Sequence, residues 1–92
     1  MTTLNIQLVH AIFFDNAELI KSLSAQGVDL DNREIFTIPP LIRAVINNKP
    51  KALKALIECG ANKNITDKQG KTPLQLAQEH NLPKIIEILL QN

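Results

Sequence analysis

The stretch Asp67-Lys68-Gln69-Gly70-Lys71-Thr72-Pro73-Leu74-Gln75-Leu76-Ala77 changes character half-way along. Its first half is polar and holds a glycine, the composition of a turn. Its second half opens on a proline and runs into leucine and alanine. Proline at the first position of a helix gives up only an N–H that has no intrahelical partner, so a short helix is predicted to start at or just after Pro73. The same passage recurs upstream. An offset of 33 residues lays Pro40 on Pro73, Leu8 on Leu41 and Leu74, and Ala11 on Ala44 and Ala77. It also lays Ile20 on Leu53 and Ile86, Leu23 on Leu56 and Leu89, and Gly27 on Gly60. Small, apolar and Gly/Pro positions all coincide at one offset, so the chain is built from an internal repeat.

Each unit reads as two helices. The first is predicted to stop near Asn47-Asn48 and His80-Asn81, because asparagine tolerates the left-handed conformation of a tight turn between helices. Pro50 and Pro83 then open a second helix. Ala52, Leu53, Leu56 and Ile57 fall on one face of it, and Lys51, Lys54 and Glu58 on the other. Gly27 and Gly60 stand just past these second helices, where a helix-terminating glycine belongs. The segment Gly60–Thr72 is polar and turn-rich and suits an extended loop or hairpin rather than a core element.

Two antiparallel helices and a projecting loop in 33 residues resemble the ankyrin repeat. The third unit carries the motif most openly, since Asp67-Lys68-Gln69-Gly70-Lys71-Thr72-Pro73-Leu74-Gln75-Leu76-Ala77 is close to the family's D-x-x-G-x-T-P-L-H-x-A, with Gln75 in place of the histidine. The second unit keeps Pro40, Leu41 and Ala44 but has Glu34 for Asp, Thr37 for Gly and Pro39 for Thr, so its loop is expected to depart from the family shape. The first unit lacks the hairpin and begins near its first helix. The resemblance implies an all-α fold, an ankyrin-repeat solenoid of stacked helix-turn-helix units with projecting hairpin loops. It covers about residues 4–92 of a single domain spanning residues 1–92, with repeats at about 4–30, 31–63 and 64–92. Two weak points follow. Ser24 sits where the later units have Ile57 and Leu90, so the first repeat is expected to lose a core side chain. The last helix, Ile85-Ile86-Glu87-Ile88-Leu89-Leu90, is very apolar for an outer end, so it either packs under its own repeat or is covered.

Composition bounds the function. The 92 residues carry a formal charge of +1, with three aromatics (Phe13, Phe14, Phe36) and neither Trp nor Tyr. So even a balance gives no field to draw in nucleic acid or an anionic membrane. Lys21, Lys51, Lys54 and Lys84 share the outer face of the second helices with Glu18, Glu58 and Glu87, a solvated mixed-charge surface. The N-terminal residues resemble neither a signal peptide nor a membrane span, so neither is expected. The single cysteine, Cys59, has no internal partner, which points to a reducing compartment and a cytoplasmic home. His10 and His80 fall in different repeats with no Cys or carboxylate at ligand spacing, so no metal is expected. No nucleophile motif, phosphate-binding glycine loop or paired carboxylates occur, so neither catalysis nor a cofactor is expected.

The resemblance implies that partners are proteins, bound on the concave side by loop tips and exposed positions of the first helices. In the third unit those positions are Lys68, Gln69, Lys71, Glu79 and His80, an ordinary wet surface. In the second they are Ile35, Phe36, Ile38, Ile46 and Asn47, and in the first Phe13 and Phe14. Apolar clusters of this size on a surface mark interaction sites. Phe13, Ile35, Phe36, Ile38 and Ile46 are therefore expected to form the apolar centre of a binding surface, with Lys68, Lys71, Glu79 and His80 as its rim. On that arrangement Phe36→Ala weakens binding and spares folding. A second arrangement is open: because Thr37 and Pro39 break the loop pattern, the segment turns inward and Phe36 or Ile38 fills a gap left by the incomplete first repeat, while Phe14 tucks beneath the first helix pair. The function implied is non-catalytic protein binding, as an adaptor or as a stoichiometric inhibitor of the immunity type, by a monomer or weak homodimer. The alternative is a self-associating structural protein whose apolar patch or last helix is covered by another copy.

Overall fold

The computed structural model describes residues 3–32 and 36–91, and every element in them is helical. Six helices follow in order: α1 (Thr3–Phe13), α2 (Ala17–Ala25), α3 (Pro40–Ile46), α4 (Pro50–Glu58), α5 (Pro73–Glu79) and α6 (Pro83–Leu90). They form three antiparallel pairs that stack side by side. The first helices α1, α3 and α5 make one layer, and α2, α4 and α6 the other.

The helix limits follow from the local residues. Each of α3 to α6 begins with a proline. The tight turns after α3 and α5 place Asn48 and Asn81 at φ 54° and 53°, the left-handed region asparagine tolerates. In the first pair the same position is held by Asp15, at φ 54°. Thr72 and Gln75 form a reciprocal cap at the start of α5. The Thr72 hydroxyl accepts from the Gln75 N–H at 3.2 Å, and Gln75 Oε1 accepts from the Thr72 N–H at 2.8 Å.

Packing follows the 33-residue register. Ala11, Ala44 and Ala77 are all buried, and their small side chains let the paired helices approach closely. Leu23, Leu56 and Leu89 fill the space between the layers. The ends of the stack are where the register turns polar. Positions buried as Ile42 and Val45 in the middle pair become exposed Gln75 and Gln78 in the last, and buried Pro40 and Pro73 correspond to exposed Gln7 in the first. Water thus meets amide side chains at both ends of the first-helix layer. Two carboxylates tie one pair to the next: Asp15 Oδ1 accepts from the Ala52 N–H in the first turn of α4 at 2.7 Å, and the Asp31 carboxylate accepts from the Asn62 N–H at 3.2 and 3.3 Å.

Three expectations need correction, and one left open is decided. Ser24 costs the first pair little, because its counterparts are edge positions: Ile57 is half-buried and Leu90 is 63% exposed. Of the two arrangements open to the last helix, it packs under its own repeat through Ile85, Ile88 and Leu89, with Leu90 exposed. The loop before α5 is partly core, since Ala61 and Ile65 are buried beneath it. Finally, the second loop turns inward, as described next.

Candidate protein-binding surface

The loops before α3 and α5 stand at the same register but take different shapes. In the later one, Asp67 organises a tight turn: its Oδ1 accepts from the N–H groups of Gln69 and Lys71, each at 2.9 Å, and the Gly70 N–H donates to the Asp67 carbonyl at 3.0 Å. The turn needs Gly70 at φ 79°. Thr37 stands there in the earlier loop, and a β-branched residue is strained at such an angle. That loop instead closes through a 3.0 Å bond from the Phe36 N–H to the Asn32 carbonyl, and Phe36 turns into the core, 3% exposed. Phe36 is thus removed from the predicted binding surface. Of the rest of that surface, Ile35 lies outside the described residues.

Where the predicted residues do meet is across the gap between loop and first helix. In the third pair, Lys71 on the loop and Glu79 at the end of α5 join in an ion pair of 3.0 Å that spans this gap. Their register equivalents in the second pair are Ile38 and Ile46, which cannot bridge it. What remains is a groove of about 400 Å³ lined by Thr37, Ile38 and Pro39, by Ile42 and Ile46 of α3, by Leu76 of α5, and by Asp67, Lys68 and Gln69. Four predicted residues, Ile38, Ile46, Lys68 and Gln69, therefore line one cavity. Ile42 and Leu76, its floor, were absent from the sequence prediction. Both are buried, and helical periodicity alone classes them with the core.

Outside the groove, apolar side chains at the ends of the first helices are exposed. Ile46 is 42% exposed, and its equivalent Phe13 is 60% exposed. Phe14 does not tuck beneath the first pair: it is 75% exposed and meets Phe13 edge to face, with ring centroids 5.7 Å apart. The Lys49 ammonium lies 5.4 Å from the centre of the Phe13 ring, at a distance where a cation is attracted to an aromatic face. Asn47 and His80 are exposed at the positions that follow Ile46 and Glu79. Arg43 lies one turn of α3 before Ile46, and its Nε is buried without a hydrogen-bond partner. Among the described residues no group of histidines, cysteines and carboxylates could hold a metal ion, and no helix is long and apolar enough to cross a membrane.

A family profile described as "Ankyrin repeats (3 copies)" matches residues 8–92. The chain belongs to the ankyrin repeat family. It is 34% identical over 82 residues to the fem-1 homolog A-like protein of Mus musculus, an alignment covering 89% of this chain and 12% of that protein. It is 41% identical over 56 residues to the putative ankyrin repeat protein YahD of Escherichia coli, covering 55% of this chain and 28% of that one. Against NF-kappa-B inhibitor alpha of Sus scrofa the identity is 28%, over 96% of this chain and 28% of the relative. Among solved structures, the ankyrin repeat domain of Bcl-3 superimposes with a TM-score of 0.77 at 29% identity, over 98% of this chain and 40% of that one. The chain thus spans less than a third of each of these three relatives. Ankyrin repeats generally mediate protein–protein interaction and form a typically non-catalytic fold.

Proposed function

We propose that this ankyrin-repeat chain binds another protein through the groove between Ile38 and Ile46 and the exposed strip that runs from it to Phe13, acting as an adaptor or as a stoichiometric inhibitor. The observation that carries this reading is the groove of about 400 Å³ beside the exposed Ile46, with Ile38 and Ile46 at the two register positions where the third pair has the Lys71–Glu79 ion pair. Exposed aliphatic and aromatic side chains together gain when a partner removes them from water. That one relative is by name an inhibitor of another protein supports the inhibitor role. The single thiol, Cys59, is unpaired and fits a reducing, cytoplasmic setting. The test is affinity capture with the wild-type chain and Ile46→Asp as parallel baits. The variant should fold like the wild type and lose the proteins that the wild type retains; equal retention by both would sink the reading.

Self-association is a second reading, favoured by the exposed Phe13–Phe14 pair and by Leu90. A solution mass that rises with concentration and stays monomeric in Phe13→Asp would establish it.

A further inference from the structure

We infer that, while no other partner is present, the groove takes Phe14 of a second copy of this chain, so that two copies pair about a two-fold axis and each fills the other's groove. The inference rests on the groove being a binding site, as proposed above, and adds what occupies it in the free protein. Phe14 is the most exposed large apolar side chain among the described residues. It is also held in place. Its N–H donates to the His10 carbonyl at 3.0 Å, its ring meets Phe13 edge to face, and the next residue, Asp15, is tied to α4 through the Ala52 N–H. A ring fixed before contact loses little freedom on binding.

Knob and groove lie on one side of the stack. Phe13, Ile46 and Glu79 stand at one register position at the ends of the first helices, all three are exposed, and Ile46 is part of the groove wall. A contact between two different sites of one molecule either repeats head to tail or is made twice about a two-fold axis. With both sites on one side, the two-fold arrangement engages them together and closes the assembly at two copies. The groove, about 400 Å³, has room for an aromatic ring over Ile42 and Leu76. Charge agrees with this occupant. Among the described residues the lining holds one carboxylate, Asp67, and one ammonium, Lys68, a balance that suits a neutral ring. The Lys49 ammonium beside Phe13 arrives with the knob and has the Asp67 carboxylate to face, while the exposed Lys68 stays in water. A formal charge of +1 leaves little repulsion between copies. Four exposed phenylalanines leave water in such a pair, roughly 500 Å² of aromatic surface, and with the matching lining the contact comes to about 1,000 Å², below the usual size of a stable interface. The pair is therefore a weak one, which a stronger partner displaces.

The test combines sedimentation and methyl NMR on the wild type and on Phe14→Asp and Ile46→Asp, two changes at exposed positions. For the wild type the mass should rise from one copy toward two with concentration, and the methyl signals of Ile38, Ile42, Ile46 and Leu76 should move with it. Each variant alone should associate about tenfold more weakly or worse, as loss of a central anchor does. The deciding experiment mixes the two. Ile46→Asp still carries Phe14, and Phe14→Asp still has its groove, so the groove methyls of labelled Phe14→Asp should shift when unlabelled Ile46→Asp is added and stay still when more unlabelled Phe14→Asp is added. A monomer at every concentration would overturn this inference and leave the groove open to a foreign partner. A dimer that survives Phe14→Asp but is lost in Leu90→Asp would overturn it too, as would mixed variants whose groove methyls do not move. Failure of the groove as a site for other proteins reads out separately, as equal capture by the wild type and Ile46→Asp.

Discussion

Phe36 and Phe13 stand within a repeat of each other in sequence, yet their substitutions should have opposite consequences. Phe36 is closed into the core, so Phe36→Ala should cost about 3–5 kcal/mol, most of a small domain's stability. Urea unfolding followed by circular dichroism would show it as a large fall in midpoint. Phe13 is mostly in water, and Phe13→Ala should change stability by no more than about 0.5 kcal/mol. A large loss at Phe13 would mean that its contacts with Phe14 and Lys49 hold the first pair together rather than waiting for a partner. The Lys71–Glu79 pair is too exposed to matter much to stability.

At the level of elements, the caps separate the helices. The α5 start is self-sufficient, because Thr72 and Gln75 cap each other; Thr72→Ala should cost about 1 kcal/mol. The start of α4 has no side-chain cap of its own, since Lys49 stands at that position. Asp15, from the preceding pair, supplies the acceptor for the Ala52 N–H instead. Asp15→Gly keeps the left-handed turn at φ 54° and removes the acceptor, so any loss it causes reports the cap rather than the turn. The expected loss is about 1–2 kcal/mol, with faster amide exchange at Ala52. An unchanged exchange rate at Ala52 would show that water serves that N–H equally well.

The whole molecule is nearly as wide as it is long, with extents of 33 × 26 × 22 Å and a radius of gyration of 11.9 Å, close to the roughly 12 Å of a compact chain of this length. Three pairs are too few for a repeat array to lose its cooperativity, and the middle pair buries its apolar faces on both sides. Unfolding should therefore be one transition, with circular dichroism and amide exchange giving the same midpoint; separate midpoints would mean that an outer pair frays alone. For the same reason position matters within a register column. Leu53→Ala in the middle should cost about 2–5 kcal/mol, and Ile86→Ala at the half-buried end clearly less.

The sequence alone determined the repeat, the helix limits and the family, because these depend on local chemistry: proline fixes where a helix starts, asparagine and glycine where a turn follows, and a 33-residue coincidence where layers meet. It also named four of the nine residues that line the candidate groove, since Ile38, Ile46, Lys68 and Gln69 are readable by register. Which way Phe36 points was decided only in three dimensions. Thr37 cannot take the glycine turn without strain, and Phe36 beside it is buried in the core. The floor of the groove was hidden for a related reason: Ile42 and Leu76 are buried and look like any core residue until the neighbouring loops and helices are in place around them. Patterns along the chain specify what each residue prefers. Whether a gap exists between two repeats depends on what both of them bring to it.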